Sequence, residues 1–250
     1  MTVARVIALF IVLTFCVANV SLAAEQYKLR FKPRPKPLKI LVKKRVDIYT
    51  TSWKYRRSHK LHQEQRMYKR HVTSGVPGIL QLKLEETAAK VTLDGKVAPP
   101  LPGPKVLKMT INDLGEIFRS VSNARAAKQT GLTLTFPEEP VSVGQIWTTT
   151  SAATDDYPRD ITLHFKLTKV AKKLGKRCAV IETRVRESDT IAERGCRASL
   201  TIVGRILFDI DGGYVVRQRS SSTFITTFIE QRGKLPFQIS RFSKLNKTAR

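Results

Sequence analysis

The sequence predicts an all-β protein, mainly antiparallel: a curved sheet, partial barrel or sandwich with at most one or two short helices. Three observations carry that prediction. Apolar residues recur at every second position in many short segments, the spacing that buries one face of a strand. Asp/Gly and Pro/Gly turn signals separate these segments at short intervals. No alternation of strands with long amphipathic helices supports a doubly wound fold.

The elements follow in chain order. Residues 6–20 are an uncharged apolar run behind one arginine, ending in Ser21-Leu-Ala23-Ala. Small residues at these positions suit signal peptidase, so residues 1–24 read as a secretory signal. The competing reading is an uncleaved anchor near the lower length limit for spanning a bilayer. After cleavage the chain is expected in the periplasm or outside the cell, without a membrane-spanning segment.

Residues 25–37 alternate basic residues with Pro33, Pro35 and Pro37 and read as a basic, proline-rich extended arm. Residues 38–245 then form one β-rich domain, with two similar halves meeting near 130–150. Leu38, Ile40, Val42, Val46 and Ile48 share one parity and predict its first strand. Residues 53–71 carry no continuous apolar stripe, so strand, short helix and charged hairpin all stay open. Leu80, Leu82 and Leu84 alternate with polar residues, and Val91-Thr-Leu93 runs into the hairpin signal Asp94-Gly95. A proline-rich connection at 98–105 precedes an apolar strand that turns at Asp113-Leu-Gly115. Residues 122–129 suit one short helix capped by Ser122.

Ile161, Leu163, Phe165 and Leu167 form the cleanest half-buried alternation, and KLGK then turns the chain into CAVIETRVR. LFDIDGGYV gives a late hairpin. TINDLGEI and LFDIDGGY superimpose at an offset of 97 residues, each an apolar strand entering and leaving an Asp/Gly turn.

Charge is the strongest compositional signal. The 250 residues carry 45 Lys or Arg against 20 Asp or Glu, a net charge of +25. Residues 25–75 hold 16 cations against 3 acids and residues 166–250 hold 19 against 7, whereas residues 76–165 hold 9 against 10. Outside the cytosol such a field selects anionic lipid, acidic cell-surface polymer or extracellular nucleic acid. The densest runs supply the candidate contacts: Lys43, Lys44, Arg45, Lys54, Arg56, Arg57, Lys69 and Arg70, then Lys172, Lys173, Lys176 and Arg177. A solvated, charged surface that resists aggregation accounts equally for the composition.

Nothing in the chain spells catalysis. His59 and His62 have the i, i+3 spacing of a helical metal pair, but cations surround them. Residues 220–223 lack the turn and base that activate a serine. Glu138 and Glu139 are adjacent, and neighbours on an extended chain point to opposite faces. No metal or other cofactor is expected. Cys178 and Cys196 pair naturally in an oxidising compartment, and a bridge closing 18 residues would contribute roughly 3 kcal/mol.

The stretch FPEEPVSVGQIW carries Pro137, Pro140, Val141, Gly144 and Trp147. With TLDG, NDLGEI and the Asp211-Gly212 hairpin in that order, it resembles a loose family of exported bacterial β-rich proteins of unknown function. The resemblance covers residues 80–230. It implies an antiparallel fold akin to the curved half-barrels of periplasmic lipoprotein carriers, and no known enzymatic activity. Two functions stay open: an exported, non-enzymatic protein that engages an anionic partner through a basic surface, and a carrier of an apolar ligand in a half-barrel cavity. An envelope hydrolase ranks last.

Overall fold

The computed structural model describes residues 25–52, 57–99, 105–120, 134–151, 160–191, 196–228 and 237–249. Among them run β1 (Gln26–Tyr27), β2 (Arg34–Ser52), β3 (Arg57–Val76), β4 (Ile79–Leu93), β5 (Lys96–Ala98), β6 (Val106–Asn112) and β7 (Ile117–Ser120). The second half contributes β8 (Val141–Ser142), β9 (Ile146–Ser151), β10 (Ile161–Lys173), β11 (Lys176–Ile191), β12 (Cys196–Asp209), β13 (Tyr214–Phe228) and β14 (Phe237–Ala249). The fold is all-β and antiparallel, as the alternation predicts, and its main sheet is open.

That sheet has twelve strands in the order β7-β6-β4-β3-β2-β14-β13-β12-β11-β10-β9, with β5 beside β4. Consecutive hairpins build two meanders, β2 to β7 and β9 to β14. One seam joins them: β14 pairs with β2 from Phe237↔Ser52 to Ala249↔Ile40. Residues 57–71, ambiguous in sequence, are strand. They cannot stand as a helix because β2 and β4 satisfy their backbone along nearly the whole length. Residues 53–56 and the expected helix at 122–129 lie outside the described residues.

The core lies on one face of the sheet. Leu163, Phe165 and Leu167 of β10, Ile181 and Val185 of β11, and Ile206 and Phe208 of β12 are buried there. From the N-terminal meander come Leu80, Leu82, Leu84 and Met109. Each such side chain stabilises by roughly 1.5–3 kcal/mol relative to its exposed state.

The segment read as an extended arm contributes to this core. Tyr27, Leu29 and Phe31 point inward and are buried, while Lys28 and Lys32 point out. β1 also pairs with β8 through Tyr27↔Val141. The Phe31 ring packs 5.3 Å from Phe136 and 5.4 Å from Phe208. Prolines restrict this stretch to an extended path without making it solvent-exposed. The alternation at 27, 29 and 31 decides where it goes.

Residues 31 and 32 bridge the two similar turns. Phe31 N–H donates to Asp113 O (2.7 Å) and Lys32 N–H to Gly213 O (3.2 Å). Gly115 (φ +95°) and Gly213 (φ +64°) sit under this strap. A Cβ at Gly115 would lie 2.5 Å from Leu134 O, and one at Gly213 would lie 2.5 Å from Lys32 Cβ. Glycine is required twice over, for the backbone angle and for the approach.

FPEEPVSVGQIW closes the same end of the core. Trp147 is buried and its Nε1–H donates to Thr135 O at 2.8 Å. Arg30 donates to the carbonyls of Pro137 (2.9 Å) and Glu138. Val141 is buried, Pro140 is half-buried, and Glu138 and Glu139 are exposed. Gly144 occupies the turn between β8 and β9 with φ +93°. Asp211 and Gly212 lie in the β12–β13 turn, where Gly212 N–H donates to Asp209 Oδ1 at 2.9 Å.

The expected disulfide is absent: Cys178 and Cys196 are free and buried. Cys178 opposes Asp209, whereas Cys196 opposes Ile191 at the other end of the same β11–β12 ladder. The 13 residues from 196 to 209 separate them by roughly 40 Å of strand. A disulfide needs Cα atoms within about 7 Å. Closeness in sequence is undone by the hairpin, because its strands run almost the whole distance between the cysteines.

Candidate anion-binding groove

Cross-strand neighbours share a face, so the registers define rows of side chains running across the sheet. One row on the face opposite the core reads Lys90, Gln65, Lys43, Asn246, Arg219, Arg205 and Glu182 across seven successive strands. The next row reads Thr92, Gln63, Arg45, Lys244, Ser221, Val203 and Arg184. These side chains alternate with core-facing ones such as Ile40 and Val46 of β2 or Ile181 and Val185 of β11.

The sheet coils enough for β4 and β11, six positions apart, to line one groove of about 1000 Å³. Its lining holds eight cations, among them Lys44 from the core-facing parity, against the two carboxylates Glu64 and Glu182. Glu64 is held by Arg66 on the core side of the sheet. Glu182 accepts from Arg205 at 2.9 Å. Arg45 is paired with Asp47 (2.9 Å), and this hydrogen bond holds the Asp47 carboxyl below the usual range. Lys43, Lys90, Arg184, Arg219 and Lys244 form no ion pair among the described residues and are exposed. Five uncompensated cations in one concavity concentrate positive potential there.

Of the cations singled out in sequence, Lys43, Lys44 and Arg45 line this groove. Lys69 is exposed on the same face, opposite Lys39 and Glu85 and two rows away. Lys172 and Lys173 are exposed at the distant β10–β11 turn. Arg177 is paired with Asp211 at 2.9 Å, and Lys176 lies 3.4 Å from Asp209 and 5.4 Å from the Tyr214 ring centre. Both are engaged in securing the late hairpin. Lys54 and Arg56 lie outside the described residues, as does the Arg57 side chain.

Arg70 corrects the expectation of a surface contact. It is 2% exposed, on the core-facing parity of β3, and its Nε has no hydrogen-bond partner. Burial and the nearby charge of Arg34 lower its pKa to about 10. Lys247, 6% exposed on β14, is pushed down to about 7 by burial and then by Arg70. A run of basic residues on a strand necessarily sends alternate members to the opposite face, so Lys69 and Arg70 part company.

The groove cations outside the dense basic runs singled out in sequence are Lys90, Arg184, Arg205, Arg219 and Lys244. They are single residues on five different strands. The available signal was parity: each falls on the polar phase of an alternating segment.

A second, smaller concavity lies on the core side, beyond the packed aromatics. It measures about 410 Å³ and is lined by Val46, Ile48, Leu93, Ile161, Leu200 and Phe224 together with Lys44, Lys60, His62 and Arg241. His62 faces this cleft, whereas His59 stacks on Tyr49 at 4.5 Å and contacts Asp47 at 3.2 Å. On a strand the i, i+3 pair therefore splits between faces, which removes the helical metal geometry.

No protein-family model matches the chain, and no curated protein is significantly similar to it in sequence. Among solved structures, one of lipovitellin, described by its lipid–protein interactions, is similar with TM-score 0.49 and 10% identity. The match covers 86% of this chain and 25% of that one, so the chain spans about a quarter of that protein's length. DynF, from the dynemicin biosynthesis pathway of Micromonospora chersina, matches with TM-score 0.26 and 9% identity over 92% of this chain and 87% of that one. Both likenesses are too distant to bear on function.

Proposed function

We propose that this chain is an exported, non-enzymatic protein that binds an anionic envelope or extracellular partner in the basic groove. The observation that carries the proposal is the convergence of five unpaired cations from β2, β4, β11, β13 and β14 on one concave surface. Surface lysines dispersed for solubility would have no reason to share a groove. An anionic polymer laid there releases counterions from each contact it makes, so its affinity must fall steeply with salt.

Heparin titration at several salt concentrations tests this reading. Five contacts give a slope of log K against log salt of about −3.5 to −4.5. The triple variant R184Q/R219Q/K244Q removes three exposed cations on three strands. Its slope should shrink by about 2 to 3. A parent slope shallower than −1, or a triple variant that binds like the parent, overturns the proposal.

A second reading rests on the core-side cleft, whose apolar walls and basic members Lys44 and Lys60 suit one chain of an anionic amphiphile. Lipid carriage there would be nearly insensitive to salt. Mass spectrometry of an organic extract of purified protein tests it, and an extract without stoichiometric lipid removes this reading.

A further inference from the structure

We infer, resting on the anion-binding reading of the groove, that its partner is an acidic polysaccharide carrying one negative charge per pair of sugars. The argument begins with the row Lys90, Gln65, Lys43, Asn246, Arg219 on β4, β3, β2, β14 and β13. Cation and carboxamide alternate strictly over five adjacent strands. Neighbouring strands lie about 4.8 Å apart, so like groups recur every ~9.6 Å across the sheet. One strand spacing is close to the advance of one pyranose ring in an extended chain. A polymer crossing the strands would meet a cation at one ring and a carboxamide at the next.

The chemistry of the two kinds of site differs accordingly. Lysine and arginine offer only donors and positive charge, which suit a carboxylate or sulfate. Gln65 and Asn246 offer both donors and an acceptor, which suit the hydroxyls and acetamido group of a neutral sugar. Gln63, Ser221 and Thr92 in the adjoining row extend this polar lining.

The same lining argues against the other two polyanions. Single-stranded nucleic acid is held by aromatic platforms on which bases stack, and no aromatic side chain lines the groove among the described residues. A membrane presents its charge on a broad plane. Cations recessed in a concavity that reaches from β4 to β11 cannot all approach such a plane.

Hyaluronan, with one carboxylate per disaccharide, is the alternating probe. Polygalacturonate, charged on every ring, oligo-dT and vesicles rich in phosphatidylglycerol are the comparisons, all at one salt concentration. Hyaluronan is expected to bind at least tenfold more tightly than oligo-dT of equal charge and more tightly than the vesicles. Q65L/N246L should weaken hyaluronan about tenfold and leave its salt slope unchanged. K43Q/R219Q should weaken hyaluronan about tenfold and make its salt slope shallower. Circular dichroism of each variant establishes that the sheet is intact, and all four positions are exposed.

Tighter binding of oligo-dT or vesicles with a normal salt slope overturns the polysaccharide inference while leaving the anion groove standing. So does polygalacturonate binding equal to hyaluronan, or a silent Q65L/N246L. Failure of every probe to bind in low salt overturns both.

Discussion

Replacing Lys247 by methionine should stabilise the protein at neutral and acidic pH, and the gain should disappear in alkali. Lys247 is 6% exposed, and burial followed by repulsion from Arg70 moves its pKa from 10.5 to about 7. Below pH 7 the ammonium is charged in both folded and unfolded chains, and the folded chain bears the whole cost of holding it. A displacement from 10.5 to about 7 corresponds to a cost of roughly 4–5 kcal/mol. Between pH 7 and 10.5 the unfolded chain binds the extra proton, so parental stability rises by about 1.4 kcal/mol per pH unit on this account. Above 10.5 both states are neutral and the cost vanishes. Lys247→Met has nearly the same length and no charge, so its stability lacks this rise. Urea unfolding of both proteins at pH 6, 8 and 9.5 reads the difference directly. It should be several kcal/mol at pH 6 and under half that at pH 9.5. A variant less stable than the parent at pH 6, or a difference that does not change with pH, refutes the desolvation argument.

Three further outcomes follow from the packing. Gly115→Ala places a methyl 2.5 Å from Leu134 O and 2.6 Å from the Phe31 ring at a backbone angle unfavourable to alanine, so urea unfolding should show a loss of about 2–4 kcal/mol. Cys178 and Cys196 are buried thiols, and desolvation raises the Cys178 pKa. In native buffer a thiol reagent should label neither, and in denaturant without reductant it should label both. Trp147→Phe leaves the Thr135 carbonyl without its 2.8 Å donor, and thermal melting should show a cost of about 1–3 kcal/mol, with quenching of indole emission confirming the replaced site.

The strands that alternate cleanly were readable because one face alone is buried. Ile161 to Leu167 is the plainest case, and the DG and LG turns mark its neighbours. Residues 57–71 were not readable because their core-facing positions are largely polar. Arg66 there is held by Glu64 and Glu86, and His62 faces the core-side cleft, so the apolar stripe that would reveal the parity is missing. The groove was readable only at Lys43, Lys44 and Arg45, which form a local run. Lys90 and Arg219 come together through registers between strands more than a hundred residues apart. Local pattern carries no information about such registers. The cysteine pairing failed for a related reason, since short sequence separation across a long hairpin places residues at its opposite ends.

The seam between β2 and β14 governs how this chain reaches its final shape. Each meander pairs neighbours in sequence and can begin to form locally, but the seam joins residues 40–52 to residues 237–249. During synthesis, therefore, the first meander waits with β2 as a bare edge until β14 leaves the ribosome. Lys43, Lys44 and Arg45 then guard that edge against pairing with another chain, because adjacent like charges repel an approaching copy. A chain cut short before residue 237 would lose β14 and with it the common border, leaving β2 and β13 as two unpaired edges in place of one continuous sheet. Slow, late closure of this border is the expected rate-limiting step in refolding, since distant pairing is the slow part of building a sheet.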